Sequence, residues 1–177
     1  MTMPDELLYL VDSEDNEVGK IWKSEAHRDP SKLHREVGVF IYDDAGRLLL
    51  QRRGYDKSMY PGHWQAAAAG HVPYGDTYEQ AAHMELSEEI GFDVPLRQFD
   101  KIVLEDPSER RFMALFIGRY EGAPVRPQQS EVAEARFFSE QEYLAMKQSG
   151  DKIVPKSAEL IERFWAEEAG SLMHAQD

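Results

Sequence analysis

The 177-residue chain contains no cysteine. That excludes disulfides, thiolate metal sites and thiol nucleophiles. Basic residues are scarce relative to acidic ones, 20 against 33, giving a formal net charge of -13. A chain of that sign repels nucleic-acid backbones, so nucleic acid is not an expected partner. Small phosphorylated ligands stay open, because a bound metal ion inverts the local field. No apolar run approaches the roughly 20 residues of a membrane-spanning helix, so no membrane partner is expected. The opening stretch, MTMPDELLYL, is acidic and lacks the basic flank and apolar core of a signal peptide, which points to the cytoplasm. Fixed-period repeats and low-complexity tracts are also missing. Nothing here decides the oligomeric state, and a homodimer remains open.

What is present is globular: 42% hydrophobic and 30% charged residues, enough apolar material for a core in a single domain over residues 1–177. LLYLVDSEDNEVGKIWK predicts an N-terminal hairpin over 7–23. SEAHRDPSKLHRE reads as a polar loop. VGVFIYDDAGRLLLQRR is the clearest hairpin, with its turn at Asp43 to Gly46. WQAAAAG, set between Pro61-Gly62 and Gly70, predicts a short buried strand. A helix follows, capped by Asp76 with Glu79 as the capping-box acid and ended by Gly91. FDKIVLED, RRFMALFIGRY and EVAEARFF predict strands. Two amphipathic helices at about 139–169 close the chain, with Ser139 and Ser157 as N-caps and Pro155 between them. The expected class is α+β, a sheet with helices on its faces.

The central helix carries Glu85, Glu88 and Glu89 with no Lys or Arg beside them. Residues three and four apart share a helix face, and like charges there cost roughly 0.2–0.5 kcal/mol per pair. Ala82, Leu86 and Ile90 form the adjoining apolar stripe, so the acids sit at the edge of buried surface, where the cost rises. A solvated face would account for three acids alone. Gly70 and Gly75 upstream, and the basic cluster Arg52, Arg53 and Lys57 before them, add a tight turn and anion-binding groups. A hard divalent cation, Mg²⁺, suits such carboxylates and the phosphates of a substrate.

GHVPYGDTYEQAAHMELSEEIGF, from Gly70 to Phe92, resembles the Nudix box: Gly70, Asp76, Met84, Glu85, Leu86, Glu88, Glu89, Gly91 and Phe92 stand at its spacing. Asp76 replaces a glutamate of the motif, and Met84 replaces an arginine that pairs with the box carboxylates. From Leu8 to Phe138 the chain resembles the branch that includes isopentenyl diphosphate isomerases and their hydrolase-like relatives. Ala69 stands where that isomerase has its cysteine, and the strand reading RRFMALF holds no acid where its second catalytic acid belongs.

The resemblance implies a Nudix α/β/α sandwich with a mixed sheet and the box as loop–helix–loop. It implies Mg²⁺- or Mn²⁺-dependent hydrolysis of a diphosphate linkage in a small molecule, a nucleoside diphosphate derivative. Gly70 (through its carbonyl), Glu85, Glu88 and Glu89 would hold the metal. Glu85, Glu88 or a distant acid, Glu131 with Glu134 as alternate, would activate water. Arg53 and Lys57 would bind phosphate, and His27, His34 and His71 would hold a second ion. The alternatives are an isomerase-like enzyme and a non-catalytic nucleotide-binding domain. Tyr55, Tyr60, Trp64 and Tyr74 are candidate stacking residues, and His63 has no counterpart.

Overall fold

The computed structural model describes residues 4–168. Nine strands and four α-helices follow one another along them: β1 Leu7–Val11, β2 Glu17–Trp22, α1 Lys23–Ala26, β3 Leu33–Tyr42, β4 Leu48–Arg53, β5 Trp64–Ala66, β6 Ala68–His71, α2 Tyr78–Ile90, β7 Arg97–Glu105, β8 Arg110–Arg119, β9 Val132–Phe138, α3 Glu140–Gln148 and α4 Pro155–Arg163. A π-helical turn, Phe164–Glu168, continues α4. Residue 169, the expected end of the terminal helices, lies outside the described residues.

β3 organises the sheet. It runs parallel to β8 along its whole length and antiparallel to β6, and touches β1 at Val11 and Leu33. β4 pairs instead with β5 and β9. The expected β3–β4 hairpin therefore exists only at its neck, where Tyr42 faces Leu48. Beyond that pair the two strands diverge, because each is claimed by other partners.

Alternation along β3 builds two cores. Val37, Val39 and Ile41 face α2 and its stripe Ala82, Leu86 and Ile90. Phe40 faces the other way, with Leu48, Leu50 and Trp64, toward Tyr143 of α3 and Leu160 and Ile161 of α4. This is the α/β/α sandwich with a mixed sheet. Each fully buried leucine in it contributes about 1.5–3 kcal/mol.

The cap of α2 differs by one residue from expectation. Asp76 N–H closes a turn onto the Pro73 carbonyl, and Thr77 takes the N-cap: its Oγ1 accepts from Gln80 N–H at 3.1 Å while Gln80 Oε1 accepts from Thr77 N–H at 2.8 Å. Gly91 ends the helix at φ 88°, as expected, and a Cβ there would lie 2.8 Å from Arg126. In α4, Val154 is the N-cap and Pro155 the first turn, not a separator; Ser157 is inside the helix. Proline fits a first turn, whose N–H has no intrahelical partner.

Candidate active site and metal centre

Glu89 is 8% exposed, at the seam between α2 and the sheet. Gln51 Nε2 donates to its Oε2 at 2.7 Å and Ala69 N–H to its Oε1 at 3.1 Å. Glu85, one turn earlier, rests against β6. A Cβ on Gly70 would stand 2.3 Å from its carboxyl carbon, so only glycine lets the strand pass. Burial, then the charge of Glu89, pushes the Glu85 carboxyl up to about 9. Burial also raises Glu89, against the hydrogen bonds from Gln51 and Ala69. Both acids lie toward the C-terminal end of α2, where the helix dipole is negative and no basic residue offsets it. Glu88 stays exposed. Its charge acts on Glu6, ahead of β1, whose carboxyl is raised by burial and further by Glu88.

The cations divide between the faces of the sheet. Arg53 lies on the face of α2. Its Nε donates to the Met59 carbonyl at 3.0 Å and its Nη1 to Gln65 Oε1 at 3.2 Å. Burial lowers its guanidinium pKa, opposed by Glu89, Glu36 and Glu131. Lys57 forms an ion pair with Glu131, so an expected phosphate ligand and an expected water-activating acid hold each other. The Glu131 segment is tied to the box: Gln128 N–H donates to the Glu89 carbonyl, and Gly54 N–H to the Glu131 carbonyl. Arg52 belongs to the other face, over Trp64 and 3.6 Å from Asp151. Glu134 shares that face, since it alternates with Ala135 and Phe137 of the α2-side core, and it pairs with Arg136 at 3.4 Å. Trp64 is buried. Tyr55 and Tyr60 are exposed on the loop after β4, Tyr60 beside His63, and Tyr74 stacks on Tyr9.

A second cluster assembles from four places. His27 follows α1, His34 lies within β3, His71 ends β6, and Glu109 precedes β8. The ligand atoms of all four lie within 4.8 Å of one another. His27 Nε2 is 3.1 Å from His71 Nε2 and 2.9 Å from Glu109 Oε2, and His34 Nε2 is 3.5 Å from the same oxygen. His34 is fully buried, yet neither of its ring nitrogens has a hydrogen-bond partner among the described residues. Unpartnered buried polar atoms converging on one point fit a metal. Tetrahedral bonds of the zinc–imidazole kind separate their donors by about 3.3 Å, close to the three short spacings among His27, His34, His71 and Glu109. Burial lowers His34 to about 4 and His71 to about 3, so both are neutral at pH 7, the form that binds metal.

Glu109 went unforeseen, as did its neighbour Arg111. The half-buried Arg111 guanidinium reaches Asp106 Oδ2 at 2.7 Å, Glu36 Oε2 at 3.1 Å and Glu109 Oε1 at 3.3 Å. The only trace of them in the sequence is a charged run, Glu109-Arg110-Arg111, at the head of an apolar strand. The parallel register that sets His34 beside Arg111 joins residues far apart in the chain.

The NUDIX domain model matches residues 32–164. Isopentenyl-diphosphate Delta-isomerase 2 of Photorhabdus laumondii is 37% identical over 126 residues, 68% of this chain and 71% of that protein. An uncharacterized Nudix hydrolase of Pseudomonas aeruginosa is 36% identical over 134 residues, 75% of this chain and 78% of that protein. Among solved structures, DR0079 of Deinococcus radiodurans superposes with a TM-score of 0.74 at 25% identity, covering 89% of this chain and 98% of that one. The chain belongs to the NUDIX domain family, as an enzyme of hydrolase type.

Proposed function

We propose that the chain is a divalent-metal-dependent pyrophosphohydrolase that cleaves a diphosphate linkage in a nucleoside diphosphate derivative or nucleotide. The observation that carries this is the Glu85–Glu89 pair, packed against Gly70 with no cation in contact and with Arg53 on the same face. Glu85, Glu88 and Glu89 with the Gly70 carbonyl would hold Mg²⁺ or Mn²⁺, which polarises a phosphoryl oxygen and lowers the pKa of bound water. Arg53 neutralises the departing phosphate. Lys57 transfers from Glu131 to substrate phosphate, freeing the Glu131 carboxylate to accept a proton from the attacking water. His27, His34, His71 and Glu109 would hold a second, nitrogen-preferring ion.

The test is phosphate release from nucleoside di- and triphosphates, nucleotide sugars and dinucleotides with Mg²⁺ or Mn²⁺. Turnover of none of them by the folded protein sinks the proposal. The isomerase names among the relatives favour a second reading. Against it, Ala69 supplies no proton donor, and the RRFMALF strand contains Arg111 but no acid. Isopentenyl diphosphate should yield no dimethylallyl diphosphate; product above a no-enzyme control would reinstate that reading.

A further inference from the structure

Arg111 sits where strand β8 meets the histidine cluster, its side chain 14% exposed. Of the three acids that it contacts, Glu36, Asp106 and Glu109, the first and the last are shared with the histidines. Glu36 gives Oε2 to Arg111 and turns Oε1 to His71 Nε2, 3.3 Å away. Glu109 gives Oε1 to Arg111 and turns Oε2 to His27 and His34. The guanidinium thus stands one carboxylate's width behind the point on which the histidines converge. It neutralises part of the charge of Glu36, Asp106 and Glu109 without any ion, and it occupies one oxygen of each shared acid, which disfavours bidentate coordination.

We propose that Arg111 is an internal cation that holds the histidine–glutamate cluster together without metal and sets how tightly a transition ion binds there. The inference rests on reading His27, His34, His71 and Glu109 as a metal site. A guanidinium and a dication separated only by a shared carboxylate would repel each other even at an effective dielectric constant of about 20. Arg111 therefore competes with the ion for Glu36 and Glu109. Its orienting hold on those carboxylates acts in the opposite sense, and contacts of that kind contribute about 10–100-fold to affinity. The repulsion is the larger of the two, so losing the positive charge strengthens metal binding. Monodentate oxygens beside imidazoles also favour a transition ion over Mg²⁺, which takes carboxylates and water.

Zinc titration by calorimetry into the metal-stripped full chain tests this, together with thermal unfolding in zinc and in EDTA. Arg111→Gln should bind zinc at least about tenfold tighter than the unaltered protein. Arg111→Lys, which keeps the charge and loses the fork, should bind zinc no tighter than the unaltered protein and up to about 10–100-fold more weakly. The unaltered protein should melt at nearly the same temperature with or without EDTA, whereas Arg111→Gln should melt lower in EDTA and recover in zinc. Should Arg111→Gln fail to fold without metal, its folding in zinc supports the same conclusion, and failure in both conditions overturns it. Weaker or equal zinc binding in both variants overturns the role of Arg111 alone. If none of the proteins takes up zinc, or His34→Ala in the Arg111→Gln background takes up as much as Arg111→Gln, the metal reading falls with it.

Discussion

The box face of α2 and the histidine cluster are two solutions to gathering metal-binding groups. The box takes its acids from one helix, so their proximity costs no chain ordering beyond the helix. Its donors are hard oxygens whose repulsion no contacting cation relieves, and a proton held on Glu85 keeps the metal-free pair together. The cluster takes its donors from four elements. Its imidazoles are neutral and buried, and its acids already hold Arg111. On the proposed reading, the first centre would exchange a proton for its ion, while the other has a built-in positive charge. Local spacing suffices to gather carboxylates on one helix face, while the nitrogen-rich cluster has to wait for the sheet.

The largest effect that would separate the two centres is at Glu89. Glu89→Gln is expected to lower Mg²⁺-dependent turnover by about 10²–10³-fold with normal circular dichroism, while His34→Ala abolishes uptake of a transition ion and leaves that turnover within about tenfold. Equal losses in the two variants would mean that the centres act as one. Gly70→Ala comes next. Its methyl group would collide with the Glu85 carboxyl at 2.3 Å, and a drop of about 10–100-fold in turnover is expected, as for other lost positioning contacts. Unchanged Mg²⁺ affinity by calorimetry would show that Glu85 is not a ligand.

A pH series sharpens the contrast further. Glu85, raised to about 9, is protonated at pH 7 in the metal-free protein, so Mg²⁺ must expel that proton. Affinity should rise by up to about tenfold per pH unit between roughly pH 6 and 8. His34 and His71, lowered to about 4 and about 3, have no proton to lose there, so those two imidazoles add no such slope to zinc binding. The same shift acts on folding. The native state holds the Glu85 proton from its ordinary value, 4.5, up to about 9, while the unfolded chain has released it. Stability of the metal-free protein should therefore fall as pH rises through that window, and Glu85→Gln should remove that part of the slope in urea titrations. The smallest effect is at Met84. Met84→Arg, supplying a cation beside the box acids, should raise turnover at low Mg²⁺ by about 2–5-fold, the scale of a partly exposed ion pair. It should do nothing at saturation. A variant slower at every Mg²⁺ concentration would show that the methionine is packed in a pocket suited to it.

Much of the fold was legible. The box helix, its glycine terminator and both terminal helices stand close to where periodicity and turn residues predict them, while the one short strand expected in the Ala-rich stretch is divided into β5 and β6. The errors share a cause. Asp76 and Thr77 both have capping side chains, and a turn onto Pro73 decides between them. Arg52 and Arg53 are neighbours in a basic run, and the pleat sends them to opposite faces. Glu134 lost its place for the same reason, because strand alternation directs it away from the box. Lys57 and Glu131 appear in the sequence as separate charges, and only the packing of two loops makes them partners.

By itself the sequence determined the acid face, since a helix of 3.6 residues per turn aligns Glu85 with Glu89 whatever surrounds it. It also excluded thiol chemistry outright. Tertiary structure alone decided which of the three box acids is buried, that β3 and β4 part after a single pair, and that Glu109 and Arg111 join three histidines. Those outcomes depend on strand partners, and a strand's partner is chosen by the sum of packing along its whole length, which no short stretch of sequence contains.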